Sequence, residues 1–263
     1  VRERDRVVVV IPAYNEAEAL PSFLSEIRAS FAAVDTPVSI VVLDDASTDE
    51  TAAAAAGLAE VVRAPENRGH GPTALAAYAE GLREGSSVIV HVDGDGQFYG
   101  DDIARVALAL DDVDADVVHG VRRGRTDPWF RRGLSGLVRL AVLMLCGRSV
   151  PDVNTPLRAY RPDTLADLVA AVPADALVPH VHFSIAEART GLRMRYVAVA
   201  SIPRRAAMVQ GTMWGEGRSR QVLPPRRLVR FAARAFAELW RVDIVTAGRG
   251  SRSRAAGTAP ARG

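Results

Sequence analysis

The sequence predicts an α/β protein: an open, mostly parallel sheet with helices on both faces. Two observations predict it. Short β-branched runs alternate with segments whose apolar residues recur at helical spacing, which is the pattern of parallel-sheet folds. Polar residues collect just after those runs, at the carboxyl ends of the strands, where such sheets hold their ligands. The 263 residues, 48% hydrophobic and 24% charged, suffice to bury one large core or two small ones without metals or disulfides. Disorder and fibre are excluded.

Taken in order, Arg6 to Ile11 is the first strand, ended by Pro12, and Val38 to Leu43 is the second, ended by Asp44 and Asp45. Between them Glu16 to Phe31 carries Leu20, Phe23, Leu24 and Ile27 at spacings of three and four. That is a helix in which Pro21 is tolerable only near the first turn. Ser47 to Glu50 has the spacing of a capping box and opens an alanine-rich helix to Ala56, closed by Gly57. Glu60 to Arg63 is a third strand, Pro72 to Leu82 a helix, Ser87 to Val92 a strand, Asp102 to Leu110 a helix and Asp116 to His119 a strand. Beyond residue 120 the alternation fails. An arginine-rich loop precedes the apolar segment Leu134 to Cys146, then helices near 163–171 and 181–190 and a strand from Arg193 to Val199. Pro224 to Trp240 reads as a basic amphipathic helix with Leu228, Phe231, Ala235, Phe236 and Leu239 on one side, and 248–263 as a disordered tail.

Charge and cysteine usage narrow the setting. Net charge is +2, yet residues 200–263 carry +10 and residues 1–199 carry −8, so the C-terminal end should seek an anionic partner. No aromatic-basic interleaving accompanies it, and nucleic acid is not expected as that partner. One cysteine, Cys146, forms no internal disulfide, and no leader-like segment opens the sequence. The expectation is a cytoplasmic location. The apolar stretch from Gly133 to Gly147 is interrupted by Arg139 and falls short of the roughly 18–20 residues of a spanning helix.

Chemistry concentrates in Asp93-Gly94-Asp95-Gly96-Gln97, directly after an apolar strand. Two carboxylates and an amide on one tight turn are hard oxygen ligands suited to Mg²⁺ or Mn²⁺, which bind a few carboxylates together with substrate phosphates. Asp and Gly are also common turn residues; the acidic neighbours at other strand ends favour the metal. A calcium loop would need Gly where Phe98 stands and an acid where Ala104 stands. Gly69 to Ala74 spells GxGxxA, but Ala64 to Arg68 separates it from its strand, so it reads as a nucleotide-side loop rather than a hydride-cofactor fingerprint. His91 reads as packed within its strand, and His180 and His182 do not share a face as metal ligands would.

Val8 to Glu16 (VVVIPAYNE), Val41 to Thr51 (VVLDDASTDET), Asn67 to Gly71 (NRGHG) and Val92 to Gln97 (VDGDGQ), in that order, resemble the family 2 glycosyltransferases of GT-A fold. The nearest branch is the polyprenyl-phosphate (dolichyl-phosphate) mannosyltransferase or glycosyltransferase type. The resemblance spans about residues 6–205. It implies a domain over 1–205, with a nucleotide-sugar half (1–120) and an acceptor half (121–205), followed by the basic helical region 206–247 and the tail.

It further implies an inverting transfer of mannose or glucose from a GDP-mannose or UDP-glucose type of donor to a polyprenyl phosphate at the cytosolic membrane face, with peripheral membrane contact. Pro12, Tyr14, Asn15 and Glu16 would line the base and ribose, with Gly69 and Gly71 beside the nucleotide. Asp45, with Asp44, would accept from a base edge that presents N–H groups. Asp93, Asp95 and Gln97 would hold the metal. Arg122, Arg131 and Ser135 match the positions that hold an acceptor phosphate. Such an acceptor is already ionised near neutrality and needs no general base, whereas a hydroxyl does.

The branch pattern Asp-x-x-Ser-Gly-Phe is here Asp152-Val153-Asn154-Thr155-Pro156-Leu157, followed by Arg158. Gly215 to Arg220 only partly matches the usual Arg-x-x-Gly-x-Ser-Lys, and Arg204-Arg205 is a candidate for its arginine. These departures leave the acceptor open. Asp152 would orient it, act as base or make a structural salt bridge, and the alternatives to a lipid phosphate are a soluble hydroxyl acceptor or a non-catalytic nucleotide-sugar-binding protein.

Overall fold

A computed structural model of the chain describes residues 7–112, 114–123, 129–205 and 226–245. Gly215 to Arg220, Arg125 with the rest of the loop at 124–128, and the tail 248–263 lie outside the described residues.

Among the described residues seven strands form one sheet in the order β3-β2-β1-β4-β6-β5-β7. They are β1 (Val7–Ala13), β2 (Val38–Asp44), β3 (Glu60–Arg63), β4 (Val88–His91), β5 (Val117–Arg123), β6 (Arg158–Tyr160) and β7 (Met194–Ala200). β1 pairs in parallel with β2 and β4, β2 with β3, and β5 with β7. β6 runs antiparallel between β4 and β5. The expectation of a mostly parallel sheet therefore holds, but β6 stands where a loop was expected. Its three residues are too few to show a period, and an arginine begins it.

The helices are α1 (Leu20–Ala33), α2 (Thr51–Ala55), α3 (His70–Arg83), α4 (Gly100–Asp112), α5 (Trp129–Cys146), α6 (Pro162–Ala170), α7 (Pro179–Thr190) and α8 (Arg226–Leu239), which runs into a π-helical turn, Trp240–Val245. The period-2 rule of strands explains how they cover the sheet. Val7, Val9 and Ile11 point into a core with Phe23, Leu24 and Ile27 of α1 and Ile103 and Val106 of α4. Val8 and Val10 point the other way, onto Leu75 and Tyr78 of α3, Leu165 of α6 and Phe183 of α7. Because β1 is apolar on both faces it is buried throughout, as a central parallel strand must be.

Three boundaries differ from expectation for identifiable reasons. Pro12 lies inside β1, paired with Leu43; its carbonyl still accepts from Gly94 N at 3.3 Å, so only a donor is lost. The first helix begins at Leu20 and not at Glu16, because residues 15–17 bond instead to the loop after β2. The capping box is not made: Ser47 Oγ accepts from Asn15 N, and Asp49 accepts from Thr51 N at 3.0 Å at the start of α2.

Candidate functional site

The carboxyl ends of β1, β2 and β4 meet at one edge of the sheet, and their loops are bonded to one another through side chains. Asn15 takes a positive φ of 56°, a conformation Asn tolerates. It donates its N–H to Ser47 Oγ at 2.9 Å and accepts from Thr48 N at 2.9 Å. Glu16 N donates to Thr51 Oγ1 at 2.9 Å. Asp44 is fully buried, accepts from Ser47 N at 3.0 Å and lies 3.5 Å from Arg63 Nε. Asp45 accepts from Arg68 N at 2.8 Å and Gly69 N at 2.9 Å. Both acids thus hold backbone of the neighbouring turns, and a base-edge contact by Asp45 would require it to exchange these partners. Pro12 is buried in β1, Tyr14 is partly exposed beside the cleft, and Gly71 has a packing reason: a Cβ there would lie 2.1 Å from Ala176 O.

The turn after β4 brings Asp93 and Asp95 to the same mouth as Glu16. Glu16 Oε2 and Asp93 Oδ1 are buried oxygens without a hydrogen bond among the described residues; His70 Nε2 stands 3.8 Å from the latter. Burial pushes the Glu16 carboxyl up to about 7, Arg204 pulling it back and Asp95 adding to the rise. Burial, together with the Asp93 carboxylate, likewise raises Asp95 above the usual carboxylate range. Carboxylates crowded and desolvated in this way are short of positive charge, and a hard divalent cation fits the oxygen donors present. Among the described residues no group of three His, Cys, Asp or Glu side chains converges on one point; Mg²⁺ binds through one or two carboxylates together with substrate phosphates and water. Gln97 donates its side-chain amide to Ile202 O at 3.4 Å and its N–H to Asp95 Oδ1 at 3.2 Å.

On the far side of β4, Arg122 at the end of β5 grips Asp152 in a two-point pair, Nε to Oδ2 at 2.8 Å and Nη2 to Oδ1 at 3.1 Å, and also donates to Asn154 O. Arg122 and Asp152 thus form an ion pair held at two points. Behind the pair lies a buried charge network. Arg158, wholly buried, donates to Val153 O, Thr155 O, Ser184 Oγ and Glu187 Oε1. Thr155 Oγ1 donates to Gly120 O at 2.6 Å. Burial alone would raise the Glu187 carboxyl, but His119 and Arg158 outweigh it and hold it low.

A glycosyl transferase family 2 model matches residues 8–172. The chain belongs to that family. An undecaprenyl-phosphate mannosyltransferase of Micrococcus luteus is 30% identical over 80% of this chain and 94% of its own length. A polyprenol monophosphomannose synthase of Mycolicibacterium smegmatis is 34% identical over 63% and 65% respectively. An undecaprenyl-phosphate 4-deoxy-4-formamido-L-arabinose transferase of Serratia proteamaculans is 33% identical over 59% of this chain but 49% of its own length, so the chain spans about half of some relatives. Among solved structures, glucosyl-3-phosphoglycerate synthase from Mycobacterium tuberculosis in complex with Mn²⁺ and UDP-glucose matches with a TM-score of 0.61 at 19% identity, over 90% of this chain and 79% of that one. These likenesses bear out the GT-A arrangement.

Within this family 2 chain the structure gathers Asn15, Glu16, Asp45, Gly69, Asp93, Asp95 and Gln97 at one mouth, and Arg122 with Asp152 beside it. Arg131 and Ser135 stand in the first two turns of α5; their side chains lie outside the described part. His91 is packed as expected: it donates from Nδ1 to Pro156 O at 2.8 Å and stacks on Tyr78, and burial lowers it to about 4. Sequence reasoning missed Glu26, which accepts from Gly100 N and pairs with Arg205, and the depth of the Arg158 network. A lone arginine between the apolar Leu157 and Ala159 was the only signal for the latter.

Proposed function

We propose that this chain is an inverting, metal-dependent hexosyltransferase that uses a nucleotide-diphosphate sugar and a polyprenyl phosphate acceptor at the cytosolic face of the membrane. The observation that carries the reading is the pair Asp93 and Asp95, with a buried unbonded oxygen, at the carboxyl end of β4 in a family 2 chain. Residues 1–120 supply the donor half and 121–205 the acceptor half. Asp93, Asp95 and Gln97 would hold Mg²⁺ or Mn²⁺, which supplies Lewis-acid neutralisation of the charge that develops on the leaving nucleoside diphosphate. Relatives named as acting on undecaprenyl phosphate or polyprenol support the acceptor, as does the absence of a free base at Asp152. The acceptor phosphate oxygen attacks the anomeric carbon, the bond from that carbon to the β-phosphate oxygen breaks, and the nucleoside diphosphate departs with the electron pair.

Membrane contact is supported by side chains rather than by a spanning segment. Among the described residues no helix is long and apolar enough to cross a membrane. Leu140, Leu143 and Met144 of α5 are exposed, Met144 by 78%. Phe236 of α8 and Trp240 of the turn that follows it are exposed, as are Arg226, Arg227, Arg230 and Arg234 of α8, a combination suited to an anionic lipid surface. The test is a screen of nucleotide sugars with Mn²⁺ and either polyprenyl phosphate or soluble hydroxyl acceptors. A product extracted into organic solvent supports the reading, and turnover of soluble hydroxyl acceptors alone replaces it.

A further inference from the structure

The segment after β7 crosses the Asp93–Gln97 turn and is fastened to it. Ile202 N donates to Gln97 O at 3.1 Å and Arg205 N to Asp95 O at 3.3 Å. The Arg205 side chain donates to Gly96 O at 3.0 Å and Phe98 O at 3.2 Å, pairs with Glu26 at 2.5 Å and lies over the ring of Phe23. Gly96, at a φ of +67°, leaves the room that this side chain fills. Arg205 is an anchor, and it delivers its neighbour into the cleft.

Arg204 is differently placed. Its Nη2 pairs with Glu16 Oε1, while its Nε lies 3.8 Å from Asp95 Oδ2. That Nε is buried without a hydrogen bond, as are Glu16 Oε2 and Asp93 Oδ1. Three orphaned polar atoms of both signs around one cleft call for a ligand that is itself both cation and anion. One guanidinium meanwhile serves as counter-ion to both Glu16 and Asp95. A divalent cation entering among these oxygens contends with Arg204 for the same charge. A diphosphate offers the guanidinium fork a stronger, two-point partner than a single carboxylate oxygen.

We propose that Arg204 is an exchangeable counter-ion that couples the two halves of the ligand: it pairs with Glu16 until a diphosphate draws it off, and its departure returns the carboxylates to the cation. Cation and nucleotide each bind better in the presence of the other, by linkage through one side chain. This rests on the cleft being the nucleotide-diphosphate site proposed above, and adds the residue that makes metal and nucleotide enter together.

The test is binding, not turnover. Mn²⁺ affinity of the whole chain is measured from the paramagnetic resonance of free Mn²⁺, alone and with GDP or UDP, after the complex formed in free solution is subtracted. The expected result is a wild-type gain of about tenfold or more with nucleotide. Arg204→Gln tightens Mn²⁺ alone by a similar factor and loses most of that gain. Arg204→Lys, which keeps the charge but not the fork, recovers it in part, and thermal melting verifies that both variants are folded. Equal tightening with and without nucleotide marks a fixed charge and overturns the exchange, as does no change at all; either leaves the donor site standing. If neither GDP nor UDP binds wild type with or without Mn²⁺, the donor site itself fails and the coupling with it.

Discussion

Asp95 is the side chain on which most depends, because burial and Asp93 already make it a costly carboxylate that a cation would relieve. Asp95→Asn is expected to lower nucleoside diphosphate release by about a hundredfold or more, since Lewis-acid stabilisation amounts to several kcal/mol. Unchanged release across a Mn²⁺ titration would remove the metal role. Arg122 makes the complementary prediction. Its replacement by Ala should raise the KM for a phosphate acceptor about tenfold and leave nucleotide affinity as it was, a single lost charge-assisted contact being of that size; a change in nucleotide affinity alone would contradict its placement. Arg158 acts through other residues. Removing it strands Glu187 at full burial beside His119, and breaking a buried pair costs about 3–5 kcal/mol. Denaturant unfolding of Arg158→Ala checks this, and a loss below about 1 kcal/mol would mean the network relaxes.

At the scale of elements, the attachment of the C-terminal helix is the feature that responds to pH. His182 of α7 donates from Nδ1 to Asp243 at 2.6 Å and from Nε2 to Glu238 at 2.9 Å, and Glu238 also accepts from Leu177 N. An imidazole that donates from both nitrogens is protonated. Burial alone would lower its pKa, but the bonds to Asp243 and Glu238 outweigh burial and raise it. The stabilisation is therefore complete below the unfolded value of about 6.5 and is lost as pH rises through the higher folded value. Hydrogen exchange in residues 226–245 should accelerate between pH 6 and pH 9 more than in α7, and His182→Ala should abolish the difference. Neither this docking nor β6 was legible in the sequence. Long β-branched runs and helices with apolar residues every three or four positions reveal themselves, so β1 to β5 and their helices were readable within a few residues. β6 is three residues defined by its neighbours, and the His182 clamp joins residues 56 and 61 positions apart. Pro12 misled because its lost donor leaves the carbonyl pairing intact.

The whole molecule divides by charge. The first 199 residues carry the acidic strand-end loops, while the arginines of α8 stand with Phe236 and Trp240 at the surface. The strand-end motifs were legible because a few side chains follow directly on apolar runs. The coupling of Arg204 to Glu16 was not, because 188 residues separate them. Vesicles carrying anionic lipid should retain the chain at low salt and release it as screening increases; equal retention by neutral vesicles would assign the contact to Leu143, Met144 and Trp240 alone. The central claim is tested most directly by incubating the chain with GDP-mannose or UDP-glucose, Mn²⁺ and polyprenyl phosphate, and measuring sugar recovered in the organic phase. The account predicts a lipid-linked hexose that disappears with a chelator and with Asp95→Asn; recovery undiminished by either, or no nucleoside diphosphate released from either donor, would contradict it.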